Sequence, residues 1–264
     1  MTLAGRNPNL LTHKKKCILM SVVAIIQARM GSTRLPGKVL RDIAGETLLF
    51  HVVSRVLRVK RLDNWMVATT TTPADDKIEE LCTHYHWLCF RGDEEDVLDR
   101  YYQAAKSSQA QHIVRITADC PLVCPTEADR VISRHLDMRA DYTHNITVWG
   151  SGMPLGTGSE ILTFEALEVS WHEGKERHHR EHVDEYVYEH QERFHIERVS
   201  APPDLHRPEL RLTIDTAEDL QLIRGIYQRL YQPGSIIELR DVIRSLDNEP
   251  ELLQINQHVL QKQV

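Results

Sequence analysis

The sequence predicts a three-layer α/β/α domain, in which a mainly parallel, Rossmann-like sheet is covered by helices on both faces. Strand-like and helix-like segments alternate through the first half of the chain, which is the pattern of βαβ units. The 264 residues, of which 41% are hydrophobic and 27% are charged, are enough to bury the core of one such domain.

The first predicted strand is the segment 21–27, which is apolar and rich in β-branched side chains. The elements that follow it alternate along the chain: strands are predicted at 65–69, 87–90 and 112–116, and helices at 48–59, 75–85 and 95–106. Ligands bind outside the carboxyl ends of the strands in such a sheet. Residues 28–38, 69–76 and 117–121 are therefore expected to open onto one crevice.

The second half of the chain is less regular. Its predicted elements are helices at 163–171 and 180–190, strands at 195–200 and 210–213, and a helical region from Ala217 with breaks near Pro233 and Pro250. We expect a main domain over residues 20–232, with a substrate-side insertion at about 140–205. A helical C-terminal extension over residues 233–264 would follow it.

The composition indicates the cellular compartment and argues against some classes of partner. Residues 1–19 show no periodic pattern and are expected to form a disordered leader; three lysines precede an apolar run at 17–26, as in an export signal. That run is too short to span a bilayer and lacks a small-residue cleavage site. Five cysteines without a C-x-x-C pair fit reduced thiols, and a net charge of −6 disfavours a nucleic-acid binder. We therefore expect a cytoplasmic protein with neither a membrane nor a nucleic-acid partner.

A cation-rich loop follows the first strand. It reads A-R-M-G-S-T-R-L-P-G-K and places Arg29, Arg34 and Lys38 around Gly31 and Ser32. Glycine lets backbone N–H groups approach an anion, the hydroxyls add donors, and Arg and Lys supply charge, so the composition favours phosphate binding. The glycine spacing of a Walker A loop or of a G-x-G-x-x-G fingerprint is missing. A solvated basic turn is the alternative interpretation.

The run V-A-I-I-Q-A-R-M-G-S-T-R-L-P-G-K-V-L resembles the first motif of the cytidylyltransferase family that includes the CMP-sialate and CMP-KDO synthetases. Further segments agree in order: V-A-T-T at 67–70, R-G-D-E-E-D-V-L-D-R-Y at 91–101, R-I-T-A-D-C-P-L at 115–122 and L-T-I-D-T-A-E-D-L at 212–220. The chain is most similar to the spore coat polysaccharide biosynthesis nucleotidyltransferase branch. The resemblance implies the nucleotide-diphospho-sugar transferase fold and CTP as the nucleotide. It also implies a nucleotide-binding set that consists of Ala28, Arg29, Ser32, Arg34 and Lys38.

Two aspartates are expected to lie at strand tips beside this loop. Asp119 follows the strand at 112–116, and Asp215 follows an apolar segment and precedes a helix. Mg²⁺ prefers carboxylate and phosphate oxygens, and the resemblance implies that both aspartates hold it. The ordinary alternatives are a turn-forming role for Asp119 and a helix N-cap for Asp215. Gly31 and Thr117 complete the residues that we expect around the nucleotide.

The residues predicted to bind the acceptor are indicated by weaker sequence patterns. Residues 156–160 and the run Arg180-Glu181-His182 resemble segments of the spore-coat branch, which implies Glu160, Arg180 and His182 as acceptor-binding residues. Arg180 or His182 would suit an acidic acceptor, although a helix with a charged outer face explains the same residues. The run from His178 to His182 also fits H-x-x-E-H, an inverted zinc-protease pattern. A metallopeptidase that uses His178, Glu181 and His182 is therefore a competing hypothesis.

Together these features predict a Mg²⁺-dependent cytidylyltransferase. It would transfer CMP from CTP to an acidic sugar, a related acid or its phosphate, with release of pyrophosphate. Arg29, Lys38, Asp119 and Asp215 are the expected catalytic residues, acting by positioning and charge neutralisation. A glycosyltransferase or a sugar-nucleotide binding module on the same fold is the alternative, because a fold does not fix a function. A homodimer is left open.

Overall fold

The structure, a computed structural model, describes residues 21–261; the leader expected at 1–19 lies outside them. In chain order the strands are β1 (Val22–Gln27), β2 (Asp42–Ile43), β3 (Glu46–Thr47), β4 (Asn64–Thr70), β5 (Cys89–Gly92), β6 (His112–Thr117), β7 (Tyr142–His144), β8 (Glu160–Thr163) and β9 (Ile196–Arg198). The α-helices are α1 (Leu48–Val56), α2 (Asp76–His84), α3 (Val97–Ser107), α4 (Pro125–Met138), α5 (Phe164–Glu173), α6 (Arg177–Glu181), α7 (Glu185–Glu189), α8 (Ala217–Leu230) and α9 (Leu239–Asn248). Strands β2 and β3 form a hairpin, and the other seven form one sheet of order β5-β4-β1-β6-β8-β7-β9.

The centre of this sheet is parallel. Strand β1 pairs in parallel with β4 on one side and with β6 on the other, so the carboxyl ends of these three strands meet at one edge. Such a central strand must be apolar on both faces. In β1, Ala24 and Ile26 pack in one hydrophobic cluster, whereas Val23 and Ile25 pack in a second cluster on the opposite face.

Helices cover both faces of the sheet. The cluster that contains Ile26 also contains residues of α1, α2 and α4, and the cluster that contains Ile25 contains residues of α3, α5 and α7. A third cluster joins α8 and α9 to Leu212 and Ile214. Strand β8 runs antiparallel to β6 and to β7, so the sheet is mixed at that side. The predicted three-layer architecture with a mainly parallel sheet is confirmed.

Two predictions about local structure are wrong, and some elements were not predicted. Residues 180–190 do not form one helix: the chain breaks between α6 and α7, where His182 is extended (φ −127°, ψ 125°). The break accompanies the burial of Asp184 against Arg115, a tertiary contact that overrides local helix propensity. Residues 210–213 form only an isolated bridge, Leu155 to Arg211, and sequence analysis missed helix α4 and strands β7 and β8.

One buried arginine connects the C-terminal region to the core. Arg55 in α1 is 2% exposed, and its guanidinium donates to the carbonyl oxygens of Val123 (2.6 Å) and Ile237 (2.7 Å). Residues 140–205 contribute β7, β8 and β9 to the sheet, and the division of the chain into domains stays a prediction. Within residues 21–261, the helices are all too short or too polar to cross a membrane.

Candidate active site

Residues 28–38, which we name the basic loop, leave the carboxyl end of β1 and fold back beside it. The Met30 N–H donates to the buried carboxylate of Asp75 (2.7 Å), which fixes the start of the loop. The Gly37 N–H donates to the Met30 carbonyl (3.0 Å), and Gly37 adopts φ 67°, a conformation that glycine adopts without strain. This closure brings Lys38 back under the sheet edge as the first residue of a 3₁₀ turn.

Lys38 joins the two predicted aspartates. Its Nζ lies 2.8 Å from Asp119 Oδ2, 3.0 Å from Asp215 Oδ1 and 2.7 Å from the carbonyl oxygen of Ile214. The lysine side chain is 12% exposed, compared with 25% and 15% for the two aspartates, so the cluster opens only partly to solvent. Two carboxylates from loops that lie far apart in the sequence therefore meet on one ammonium group.

Backbone hydrogen bonds hold these two loops together. The Ile214 N–H donates to the Asp119 carbonyl (2.9 Å), which ties the segment after β6 to the segment before α8. Leu155 accepts from the Leu212 N–H (2.8 Å) and donates to the Leu210 carbonyl (2.9 Å). The spacing between the aspartates is therefore set by main-chain contacts and does not depend on Lys38 alone.

Arg34 and Arg211 bind the second oxygen of Asp215. Their Nη2 atoms lie 3.1 Å and 2.7 Å from Asp215 Oδ2. Arg211 also binds Asp219, which is fully buried, so its position is fixed. Sequence analysis missed Arg211, and it offered an N-cap role for Asp215 that is wrong. Thr216 is the N-cap and forms a capping box with Asp219, a T-x-x-D pattern that the sequence displays.

Interactions between opposite charges keep Lys38 and Asp119 ionised in this partly buried cluster. Burial alone would lower the pKa of Lys38, but the carboxylates of Asp119 and Asp215 raise it above its usual value. Burial likewise acts to raise the pKa of Asp119, and the Lys38 ammonium outweighs this effect, so the pKa lies below its ordinary value. Lysine and aspartate are therefore both ionised at neutral pH.

The other predicted nucleotide-binding residues line the same edge. Ala28 is buried at the end of β1, Ser32 and Thr117 are half-buried, and Arg29 and Gly31 are exposed. Within residues 21–261, Arg29 forms no ion pair. The structure thus brings Arg34, Lys38, Asp119 and Asp215 into contact, whereas Arg29 is not part of this cluster.

Of the three predicted acceptor residues, Glu160 lies in β8, Arg180 lies in α6 and His182 is the C-cap of α6. Glu160 is 4% exposed and accepts from Tyr142 and Arg115, and burial raises its pKa to about 7. The Nε of Arg180 donates to Asp96 Oδ2 (2.8 Å), so it links α6 to the N-terminus of α3. The backbone N–H of His182 donates to the His178 carbonyl (2.8 Å). Their acceptor roles stay predictions.

The H-x-x-E-H pattern does not form a zinc-protease helix. Helix α6 ends at Glu181, and the extended backbone of His182 takes that histidine off the helix. The imidazoles that converge are His178 and His179, each 2.6 Å from one oxygen of Glu189. The Nδ1 of His179 accepts from the Glu176 N–H (3.3 Å), so its Nε2 carries the proton and donates to Glu189. That tautomer suits a hydrogen-bond network and opposes metal binding at Nε2.

Comparison with known proteins identifies the family of this chain. A family model described as "Cytidylyltransferase" matches residues 23–237. The spore coat polysaccharide biosynthesis protein SpsF of Bacillus subtilis is 35% identical over 87% of this chain and 95% of its own length. A 3-deoxy-manno-octulosonate cytidylyltransferase of Pelobacter propionicus is 33% identical over 45% of this chain and 46% of its own. A solved cytidylyltransferase structure from Leptospira borgpetersenii is 31% identical, with a TM-score of 0.82 over 93% of this chain and 100% of that one. The chain belongs to the cytidylyltransferase family and is a CTP-dependent nucleotidyltransferase.

Proposed function

We propose that this enzyme transfers CMP from CTP to an acidic sugar or a related acid. An oxygen of the acceptor bonds to the α-phosphorus, and the bond from that phosphorus to the bridging oxygen breaks as pyrophosphate leaves. The observation that carries the proposal is the contact of Lys38 with Asp119 and Asp215, beside the loop arginine Arg34. It combines cations for a triphosphate with carboxylates for a divalent ion at one sheet edge.

The acceptor class is supported by the names of two relatives. One is a spore coat polysaccharide biosynthesis protein, and another is a cytidylyltransferase for 3-deoxy-manno-octulosonate, an acidic sugar. The first of these aligns over most of both chains, which supports a polysaccharide precursor as the acceptor.

Asp119 and Asp215 are the residues that would hold a divalent cation, for which we propose Mg²⁺. The donor set fits: two carboxylate oxygens and the Ile214 carbonyl already surround a cation, the Lys38 ammonium, and hard cations prefer such oxygens. When bound, the ion would neutralise phosphate charge and act as a Lewis acid. The backbone bond between Ile214 and Asp119 keeps the two carboxylates in place.

The basic loop would act on the leaving group. Arg29 is exposed, Arg34 is 39% exposed and Lys38 has a flexible side chain, so we expect all three to meet phosphate oxygens. Their charges would stabilise the pyrophosphate as its negative charge develops, and no covalent enzyme intermediate is needed. The basic loop therefore supplies binding and charge neutralisation.

Unsatisfied polar atoms support an acceptor site next to the nucleotide. Gln27 Oε1 and both ring nitrogens of His144 are buried, and none of them has a hydrogen-bond partner within residues 21–261. Such atoms are costly to bury unless a ligand or water completes them. Gln27 ends β1 directly before the basic loop, and His144 pairs with Glu160 across β7 and β8. We place the acceptor hydroxyls near these atoms, and its acid group near Arg180 or His182.

The cellular setting completes the proposal. The four cysteines in the described part of the chain are free thiols, which supports a reducing, cytoplasmic location. We propose that the enzyme acts there without nucleic-acid or membrane partners, with a homodimer as its assembly to be tested by light scattering.

A nucleotide screen tests the function. CTP, UTP, GTP and ATP are each incubated with a panel of acidic sugars and acids and Mg²⁺, and released pyrophosphate is measured. We expect release only with CTP and an acidic acceptor. Release of a nucleoside mono- or diphosphate from a nucleotide-sugar donor, without pyrophosphate release from CTP, would instead indicate a glycosyltransferase. A calorimetric titration that shows no CTP binding would overturn the proposal.

A further inference from the structure

The ammonium of Lys38 occupies the position that a cation shared by the two aspartates would need. A lysine ammonium has three protons, and here three oxygens lie within 3.0 Å of it: Asp119 Oδ2, Asp215 Oδ1 and the Ile214 carbonyl. We propose that Lys38 is an internal counter-ion that excludes the divalent cation until nucleotide draws the lysine away, so that metal enters only with nucleotide. This inference rests on the proposed function for the role of the metal.

Charge balance supports exclusion. Lys38, Arg34 and Arg211 face Asp119, Asp215 and Asp219, so three cations meet three carboxylates and their formal charges sum to zero. A divalent cation added to this cluster would have to lie against an ammonium in a partly buried site, where charges interact more strongly than in water. The cation therefore competes with Lys38 for the same oxygens. A bound triphosphate would change this charge balance, because its negative charge can pair with both the Lys38 ammonium and the divalent cation.

The cations of the cluster differ in how far they can move. Arg211 is 9% exposed and holds Asp219, which is fully buried, so it stays in place. Lys38 and Arg34 belong to the basic loop, and Arg34 is 39% exposed. Phosphate groups that enter at this loop can draw Lys38 away from the aspartates while Arg211 still positions Asp215. Lys38 then serves two partners in turn, the carboxylates first and the phosphates second.

Binding of Mn²⁺ without nucleotide tests the proposal, with the free ion measured by electron paramagnetic resonance. The wild-type chain should bind Mn²⁺ weakly, whereas Lys38→Met should bind it at least about tenfold more tightly, because the competing charge is gone. Lys38→Arg keeps the charge and should remain weak. Lys106→Met removes a charge at the far end of α3 and should match the wild type. Adding Asp119→Asn to Lys38→Met should abolish the gain.

Thermal unfolding shows whether each variant is folded, so that a change in Mn²⁺ affinity can be separated from poor folding. Mn²⁺ should raise the Tm of Lys38→Met and leave the Tm of the wild type unchanged. Equal Mn²⁺ affinity in the wild type and in a folded Lys38→Met variant would overturn the proposal. So would tight Mn²⁺ binding by the wild type. Since neither nucleotide nor acceptor is present, the outcome is separate from the pyrophosphate test, which alone decides the proposed function.

Discussion

Two buried charge networks lie near strand β6, and they differ in what they can do. At its carboxyl end, Lys38 holds Asp119 and Asp215 at the sheet edge. Within the strand, Arg115 meets Glu160 of β8 and lies 3.4 Å from Asp184, and both carboxylates are less than 8% exposed. We name these the edge network and the inner network.

The two networks differ in how far their charged side chains are exposed to solvent. The edge network, with Arg34, Arg211 and Asp219 included, has three cations for three carboxylates, and two of the cations, Arg34 and Lys38, lie on the basic loop, which is partly exposed to solvent. The inner network has one arginine for two carboxylates, and each of these side chains is at most 12% exposed. The same chemistry thus forms a ligand site where a cation can be exchanged, and a structural element where it cannot. Charge type alone would not have separated the two.

The largest expected effect is on the stability of the inner network. Arg115→Met leaves Glu160 and Asp184 buried without their cation, and it should lower the free energy of unfolding by about 3–5 kcal/mol. The matched control is Arg134→Met, whose partner Glu197 is near the surface and whose side chain is 49% exposed. That variant should cost less than about 1 kcal/mol in urea unfolding. Similar losses for both variants would remove the distinction between the networks.

A substitution in the edge network should reduce enzymatic activity but leave the stability of the fold nearly unchanged. Asp119→Asn keeps the side-chain shape but removes a charge that the metal and Lys38 need. Pyrophosphate release should fall by about a hundred- to a thousandfold, an effect of the size of one lost transition-state contact. The far-ultraviolet circular dichroism and the Tm should stay close to the wild-type values. Near-normal turnover would contradict the role of Asp119.

The Gly156→Ala variant tests whether main-chain contacts position Asp215 in the edge network. It has φ +87°, and an added Cβ would lie 2.7 Å from the Thr213 nitrogen, two residues before Asp215. Gly156→Ala should cost about 1–3 kcal/mol and reduce pyrophosphate release, because the Asp215 segment must shift. Gly234→Ala, at φ +82° with nothing within 4 Å of its Cβ, is the control for backbone strain alone. Equal activity in both alanine variants would count against main-chain positioning.

The smallest effect concerns acid stability on the opposite face of the sheet from the inner network, where α4 packs. Burial lowers the pKa of His135 to about 3, and its Nδ1 lies 3.0 Å from Thr143 Oγ1 in β7. The folded pKa lies below the unfolded value of 6.5, so the unfolded chain binds the extra proton, and stability falls as pH drops from about 6.5 towards 3. His135→Gln should flatten this slope by at most about 1.4 kcal/mol per pH unit. Urea unfolding at pH 7 and pH 5 measures it, with exposed His172→Gln as the control; identical slopes would refute the assignment.

The sequence predicts most of the parallel half and its site, because local patterns encode both. A continuous apolar, β-branched run identifies β1. The basic loop and Asp119 directly follow parallel strands, so their meeting at one edge follows from parallel topology. The inner network was not predictable in this way. Glu160 meets Arg115 only because β8 pairs with β6 in one particular register, and Asp184 joins them through a helix break. Arg211 was missed for the same reason: its partner Asp219 depends on how the chain turns before α8.

The contact of Arg55 with Ile237 bears on where the polypeptide can be shortened or fused. If the chain stopped before Ile237, one of the two carbonyls that receive this guanidinium would disappear, and a charge 2% exposed would lose an acceptor. The match to the family model also ends at residue 237. A truncation series should therefore lose stability first when its endpoint removes α9, whose Val242 and Leu246 are buried in the third cluster, and again when it crosses Ile237.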